Sequence, residues 1–301
     1  MKFSKKILAM GLVTLITLGS FVGCSKINKD KKIGMVVSTL NNPFFVSMKN
    51  GAEEKAKQLG YELIVLDSQD DPAKERANVE DLIQLGVVAL LINPTDSDAV
   101  VKSIEVANKK SVPVITLDRQ ANGGEITSHI SSDNIKGGAM AGEFVLEQLS
   151  GEGKINVVEL QGIPGASATR DRGAGFHSIL DGKENIKFIS SQAADFDRQK
   201  GLQVTENIIQ GNSDIQVVFA HNDEMALGAA KAIKTSNINA IVIGFDGNAD
   251  AIEAVEKGEM KATVAQQPDL IGELGVGLAE KIYNGETVEK EIAADLKIIS
   301  R

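Results

Sequence analysis

The sequence predicts an α/β fold made of two doubly wound lobes with parallel sheets. Three observations carry that expectation. Apolar strand patterns and amphipathic helix patterns alternate strictly along the chain, the mark of repeated βαβ units. Several strands are continuous apolar runs, Val87-Val88-Ala89-Leu90-Leu91-Ile92 among them, which suits parallel strands covered on both faces. There are more strands than one sheet of ordinary size holds, and the architecture nearly repeats before and after Ser132. No repeat of the sequence itself accompanies this repeat of pattern.

Taken in order, strands are expected over 32–37, 62–67, 87–93, 113–117, 129–131, 154–160, 187–192, 215–220, 240–245, 262–266 and 293–298. Helical patterns lie between most of them, over 43–59, 72–84, 97–109, 135–149, 198–210 and 224–234. Two of these helices have clear starts. Asn42 can cap a helix whose first residue is Pro43, and Asp71-Pro72 repeats the device. Gly272-Glu273-Leu274-Gly275-Val276-Gly277 falls within a helical pattern and predicts close helix packing. Gly173-Ala174-Gly175 follows a charged helical stretch, not a strand, so it is no dinucleotide fingerprint.

The first residues decide the compartment. Lys2, Lys5 and Lys6 precede a run, Ile7 to Val22, that is apolar with a few Thr, Gly and Ser. The run is shorter than the ~20 apolar residues of a spanning helix and ends in small residues, so 1–23 reads as a signal peptide. Cys24 is the only cysteine, which excludes an intramolecular disulfide. Its place after Gly23 supplies its role: Val22-Gly23-Cys24 resembles the lipobox of bacterial lipoproteins, in which the thiol is diacylated. Residues 24–32 then form a polar tether between the lipid anchor and the fold.

Losing the leader removes three lysines and no acids, which takes the net charge from −9 to −12. So acidic a surface repels phosphate backbones and argues against nucleic-acid binding. The histidines His129, His177 and His221 are scattered and show no metal-ligand spacing, and Walker A and GxSxG motifs are absent. Asp67, Asp70 and Asp71 fit no EF-hand spacing and read as turn and capping residues.

What stands at the strand ends is more telling. One apolar run stops at Ser38-Thr39-Leu40-Asn41-Asn42-Pro43-Phe44-Phe45, another at Asp118-Arg119, a third at Phe245-Asp246. Open α/β sheets bind ligands outside the carboxyl ends of their strands. Hydrogen-bonding side chains mixed with phenyl plates suit a small uncharged polyhydroxylated ring. Asp118 only accepts and Arg119 only donates, so together they serve both roles toward neighbouring hydroxyls. Adjacent helical residues do not share a face, so Phe44 or Phe45, or both, must point out of the core toward the crevice.

The segments Val36 to Ser47, Leu91 to Val100, Pro113 to Gln120, Ala194 to Arg198, Asn222 to Gly228 and Val242 to Gly247 resemble bacterial ribose-binding proteins, extracytoplasmic receptors of ribose ABC importers. The resemblance covers about residues 33–301. It implies two Rossmann-like lobes, 33–132 with 267–295 and 133–266 with 296–301, joined by a three-segment hinge near Ser132-Asp133, Gln266-Gln267 and Asp295-Leu296. It also implies that D-ribose is held by Ser38, Asn42, Phe44, Phe45, Asp118, Arg119, Arg170, Phe196, Asn222, Phe245, Asp246 and Gln266. Arg172 reads as a helix-surface or interlobe charge, Asp223 as a helix cap, and His221 as a residue of the cleft rim. The implied partners are an ABC permease and its ATPase; the protein acts as a monomer without a cofactor and does no chemistry. Whether a chemoreceptor also reads the closed form is left open by the resemblance.

Two other function classes are weighed against this one. A sugar-responsive repressor core shares the two-lobed fold but needs a DNA-binding headpiece where this chain has a leader. A sugar-modifying enzyme needs a carboxyl of raised pKa, whereas an adjacent arginine lowers it.

Overall fold

The computed structural model describes residues 31–301; the leader and Cys24 lie outside them. The strands form two six-stranded sheets, one in each lobe. The first lobe runs β1 (Lys32–Val37), α1 (Pro43–Leu59), β2 (Glu62–Asp67), α2 (Pro72–Gln84), β3 (Ala89–Ile92), α3 (Val101–Lys109), β4 (Val114–Leu117) and β5 (Ser128–Ser132). The second runs α4 (Asn134–Gln148), β6 (Ile155–Gln161), α5 (Ser167–Leu180), β7 (Ile186–Ala193), α6 (Arg198–Gly211), β8 (Val217–Ala220), α7 (Asp223–Thr235), β9 (Ile241–Asp246), α8 (Ala249–Glu256) and β10 (Ala262–Ala265). The chain then returns to the first lobe for α9 (Pro268–Tyr283) and β11 (Glu291–Ala294), and ends in the second with β12 (Lys297–Ser300).

Strand order is β11-β5-β4-β3-β1-β2 in one sheet and β12-β10-β9-β8-β6-β7 in the other. Every pairing is parallel except β10 with β12. Where the hydrophobic pattern predicts one strand over 293–298, there are two, in different sheets. β11 pairs with β5, Asp295-Leu296 crosses, and β12 pairs antiparallel with β10. The backbone stays extended through the crossing, so no turn residue interrupts the pattern. The helix expected from Ser97 begins at Val101, because the Asp96 carboxylate accepts from the N–H groups of Asp98 and Ala99 and holds a separate turn.

Asn42 and Asp71 cap α1 and α2 ahead of their prolines, as the sequence predicts. Close helix pairs rest on glycine. A Cβ on Gly272 would stand 2.0 Å from the Met48 carbonyl, so α9 and α1 lie backbone to backbone. Gly138 and Gly175 do the same for α4 and α5, at 2.1 Å from the Arg172 carbonyl and 2.0 Å from that of Ile135. The lobes touch across the cleft: Ser97 N donates to the Gly165 carbonyl at 3.1 Å, and Gln120 N to Ser167 Oγ at 2.9 Å.

Candidate ligand-binding cleft

The carboxyl ends of both sheets open onto one narrow interlobe cavity, lined by Asn42, Phe44, Phe45, Asp118, Arg119, Ala168, Arg172, Phe196, Asn222 and Asp246. Side chains therefore converge from the β1–α1 loop and the end of β4 on one side. From the other side they come from α5, the β7–α6 loop and the ends of β8 and β9. Three lining residues, Asp118, Phe196 and Asp246, hold positive φ of 62°, 60° and 130°. Such backbone is costly for non-glycine residues and collects at functional sites.

On the first lobe, Asn42 Oδ1 accepts from Phe44 N at 3.0 Å, which leaves the amide nitrogen for the cavity. The Phe44 and Phe45 rings meet edge to face at 5.2 Å, and both line the space. Asp118 Oδ2 stands 3.8 Å from Arg119 Nε, and Asn93 Nδ2 reaches it at 3.4 Å. The Arg119 guanidinium lies between Phe45, at 5.2 Å, and Phe196, at 5.1 Å, so plates from both lobes hold it. Its Nη1 donates to the Pro94 carbonyl at 3.2 Å.

On the second lobe, Asp246 Oδ1 accepts from Gln266 Nε2 at 2.9 Å and faces Arg172 Nη1 at 3.6 Å. Asn222 Oδ1 caps α7 through Met225 N, and its amide nitrogen donates to the Phe196 carbonyl at 3.2 Å. Asp118 Oδ1, Arg119 Nε and Gln266 Oε1 are buried without a hydrogen-bond partner among the described residues. Burial pushes the Asp118 carboxyl up despite Arg119, and the Asp246 carboxyl up despite Arg172. The expectation that the arginines hold these carboxyls low is overturned, because desolvation outweighs the ion pair.

Six further expectations need correction. Arg170 is exposed and donates to the Gly165 carbonyl at 3.4 Å, while Arg172 is 3% exposed and lines the cavity. Two residues along a helix turn the side chain to the opposite face. Ala168, Arg172, Phe176 and Leu180 form the buried stripe of α5, a four-residue spacing readable in the sequence that puts Arg172 in phase and Arg170 out. Ser38 stands behind the cavity, with its Oγ donating to Asn93 Oδ1 at 2.7 Å, so it steadies the amide that steadies Asp118. Phe245 points away from Asp246, as alternate strand residues do, and its ring lies 3.8 Å beneath the Arg172 guanidinium.

His221 is no rim residue. It is fully buried, and its Nε2 meets Glu159 Oε1 at 3.0 Å. Burial would raise the Glu159 carboxyl, but its bonds, His221 first, hold it down at about 2. Asp223 is not the cap of α7, which is Asn222. It bonds Thr263 Oγ1 at 2.7 Å and the Asn248 N–H at 2.8 Å, and burial beside Asp246 raises its pKa. Gln266 reaches the site through Asp246. The remaining predicted residues, Asn42, Phe44, Phe45, Asp118, Arg119, Phe196, Asn222 and Asp246, come together at the cavity.

A model of the periplasmic binding protein domain matches residues 33–287. The chain belongs to the periplasmic binding protein family. Within that family it is 53% identical to the ribose import binding protein RbsB of Haemophilus influenzae, over 96% of this chain and 98% of that one. It is 54% identical to RbsB of Bacillus subtilis, over 90% of this chain and 87% of the relative. An ABC transporter periplasmic solute binding protein from Actinobacillus succinogenes, solved with bound D-allose, superimposes with a TM-score of 0.84 at 31% identity. The match covers 90% of this chain and 97% of that one. Among the described residues no helix is long and apolar enough to cross a membrane.

Proposed function

We propose that this periplasmic binding protein captures D-ribose by hinge closure and delivers it to an ABC permease driven by an ATPase. The observation that carries this reading is the lining of the interlobe cavity. Carboxylates, guanidiniums and amides from both lobes converge on a space walled by Phe44, Phe45 and Phe196. Asp118 and Asp246 accept from sugar hydroxyls, and Arg119 and Arg172 donate to them. The phenyl rings cover the C–H faces of the pentose. The RbsB relatives, named for ribose import, narrow the ligand from a sugar to ribose.

In this reading the bodies 33–132 with 267–295 and 133–266 with 296–301 swing about the three crossings. Sugar lands on one lobe, the other completes the hydrogen-bond shell, and the closed pair docks on the permease. The protein works as a monomer with no cofactor, held at the outer face of the membrane through a diacylated Cys24.

Calorimetric titration against a panel of pentoses and hexoses tests the assignment. Ribose is expected to bind far more tightly than 2-deoxyribose, arabinose or glucose, because each missing or misplaced hydroxyl strands a buried partner. Equal affinity for glucose overturns the ribose reading. Since burial raises the cleft carboxyls, the same samples are checked for sugar turnover, and any conversion overturns the binding-only reading.

A further inference from the structure

Arg172 is held on three sides by protein. Its Nε donates to Asn134 Oδ1 at 2.8 Å, its Nη1 donates to the His221 carbonyl, and one guanidinium face rests 3.8 Å above Phe245. A planar group so engaged has its orientation fixed. Among the described residues Nη2 meets no protein acceptor, so it is the donor left for a ligand.

Of these holders, Asn134 has the most consequential position. It is the first residue of α4, immediately after the chain leaves β5 and enters the second lobe. Its Oδ1 serves Arg172, and its Nδ2 turns back to the carbonyl of Ser132, the last residue of β5, at 3.4 Å. The side chain is 6% exposed, so neither end exchanges freely with water. The glycine contact between α4 and α5 explains why so short an amide reaches so long a side chain. Gly138, one turn beyond Asn134, rides against the Arg172 carbonyl, where a Cβ would stand at 2.1 Å.

We infer that Asn134 is a positioning residue for ligand binding, fixing the Arg172 guanidinium in the cleft from the first hinge crossing. The amide thus joins the last strand of one lobe to a cavity-lining cation of the other. This inference rests on the proposed sugar site but not on which sugar fills it.

The test is a double-mutant cycle read by titration with ribose, or with whichever sugar the wild-type protein binds. Asn134→Ala removes the acceptor for a charged donor and is expected to weaken binding about 10- to 100-fold. Asn134→Asp keeps the acceptor oxygen and is expected to restore most of the affinity. In an Arg172→Lys background there is no Nε–H to hold, so Asn134→Ala should cause little further loss. Sugar-free melting temperatures of the Ala and Asp variants should match, which separates positioning from a general effect on folding. Wild-type affinity in Asn134→Ala, equal losses for Ala and Asp, or an undiminished loss in the Arg172→Lys background would each overturn the inference. Absence of ribose binding by the wild type would instead sink the functional reading and leave the cycle to be run with another sugar.

Discussion

Arg172 and Arg170 show how much hangs on one turn of a helix. Arg172→Ala strips a desolvated cation from Asp246 and is expected to cost about 2–5 kcal/mol of binding. Arg170→Ala, on the exposed face, should stay within about 0.5 kcal/mol in both binding and stability; titration and urea unfolding of the two variants decide between them. A second residue-scale expectation concerns Glu75. It is fully buried and accepts from Thr95 N at 2.7 Å and Thr95 Oγ1 at 3.0 Å, and burial pushes its pKa up to about 7. Because the folded state holds this proton more tightly than the unfolded chain, stability is full below the ordinary pKa of 4.5. It falls as pH rises from there through about 7. Glu75→Gln keeps an oxygen for Thr95 and cannot ionise, so at pH 8 it should gain up to about 3 kcal/mol relative to wild type. Urea unfolding at pH 5 and pH 8 checks this, and the same pH dependence in both proteins would refute it. Strand-end cavity residues such as Asp118 and Asp246 are legible because an apolar run stops at them. Glu159, His221 and Asn134 are not, since a buried polar side chain inside a pattern carries no local mark of its partner.

At the scale of elements, alternation and caps gave the order of strands and helices, and what escaped was pairing. Nothing in 293–298 announces that β11 and β12 belong to different sheets, because a crossing made in extended chain preserves the strand pattern. Glycines were more legible. Gly272 reads as a packing position and proves to be one, whereas Gly277 on the same helix meets nothing nearer than Lys55 Cε at 3.9 Å. That contrast yields a paired prediction. Gly138→Val drives a side chain into the α5 backbone and should destabilise by about 1–3 kcal/mol or more, with weaker sugar binding as Arg172 shifts. Gly277→Ala meets open space within α9 and should stabilise by roughly 0.5–1 kcal/mol through helix propensity. Chemical denaturation of both variants reads the two signs.

For the molecule as a whole, the two-lobed class followed from composition and pattern, while the closed arrangement came only with coordinates, since cleft contacts such as Ser97 to Gly165 join loops far apart in sequence. If closure accompanies binding, ribose should lower the radius of gyration in solution scattering and raise the melting temperature. At a hundredfold excess over Kd the added stability is about 2.7 kcal/mol. An unchanged radius with a raised melting temperature would show binding without closure. The triple crossing has one more effect, on timing. The first lobe receives α9 and β11 only after all of the second lobe except β12 has been made, and α9 is the helix that seals against α1. The lobe begun first therefore waits for the last tenth of the chain. A growing chain that has reached Gln266 holds nearly all of one body and an uncovered sheet of the other, so it stays partly open until its final residues emerge. For an exported protein, a tail that completes the head is a built-in delay to folding.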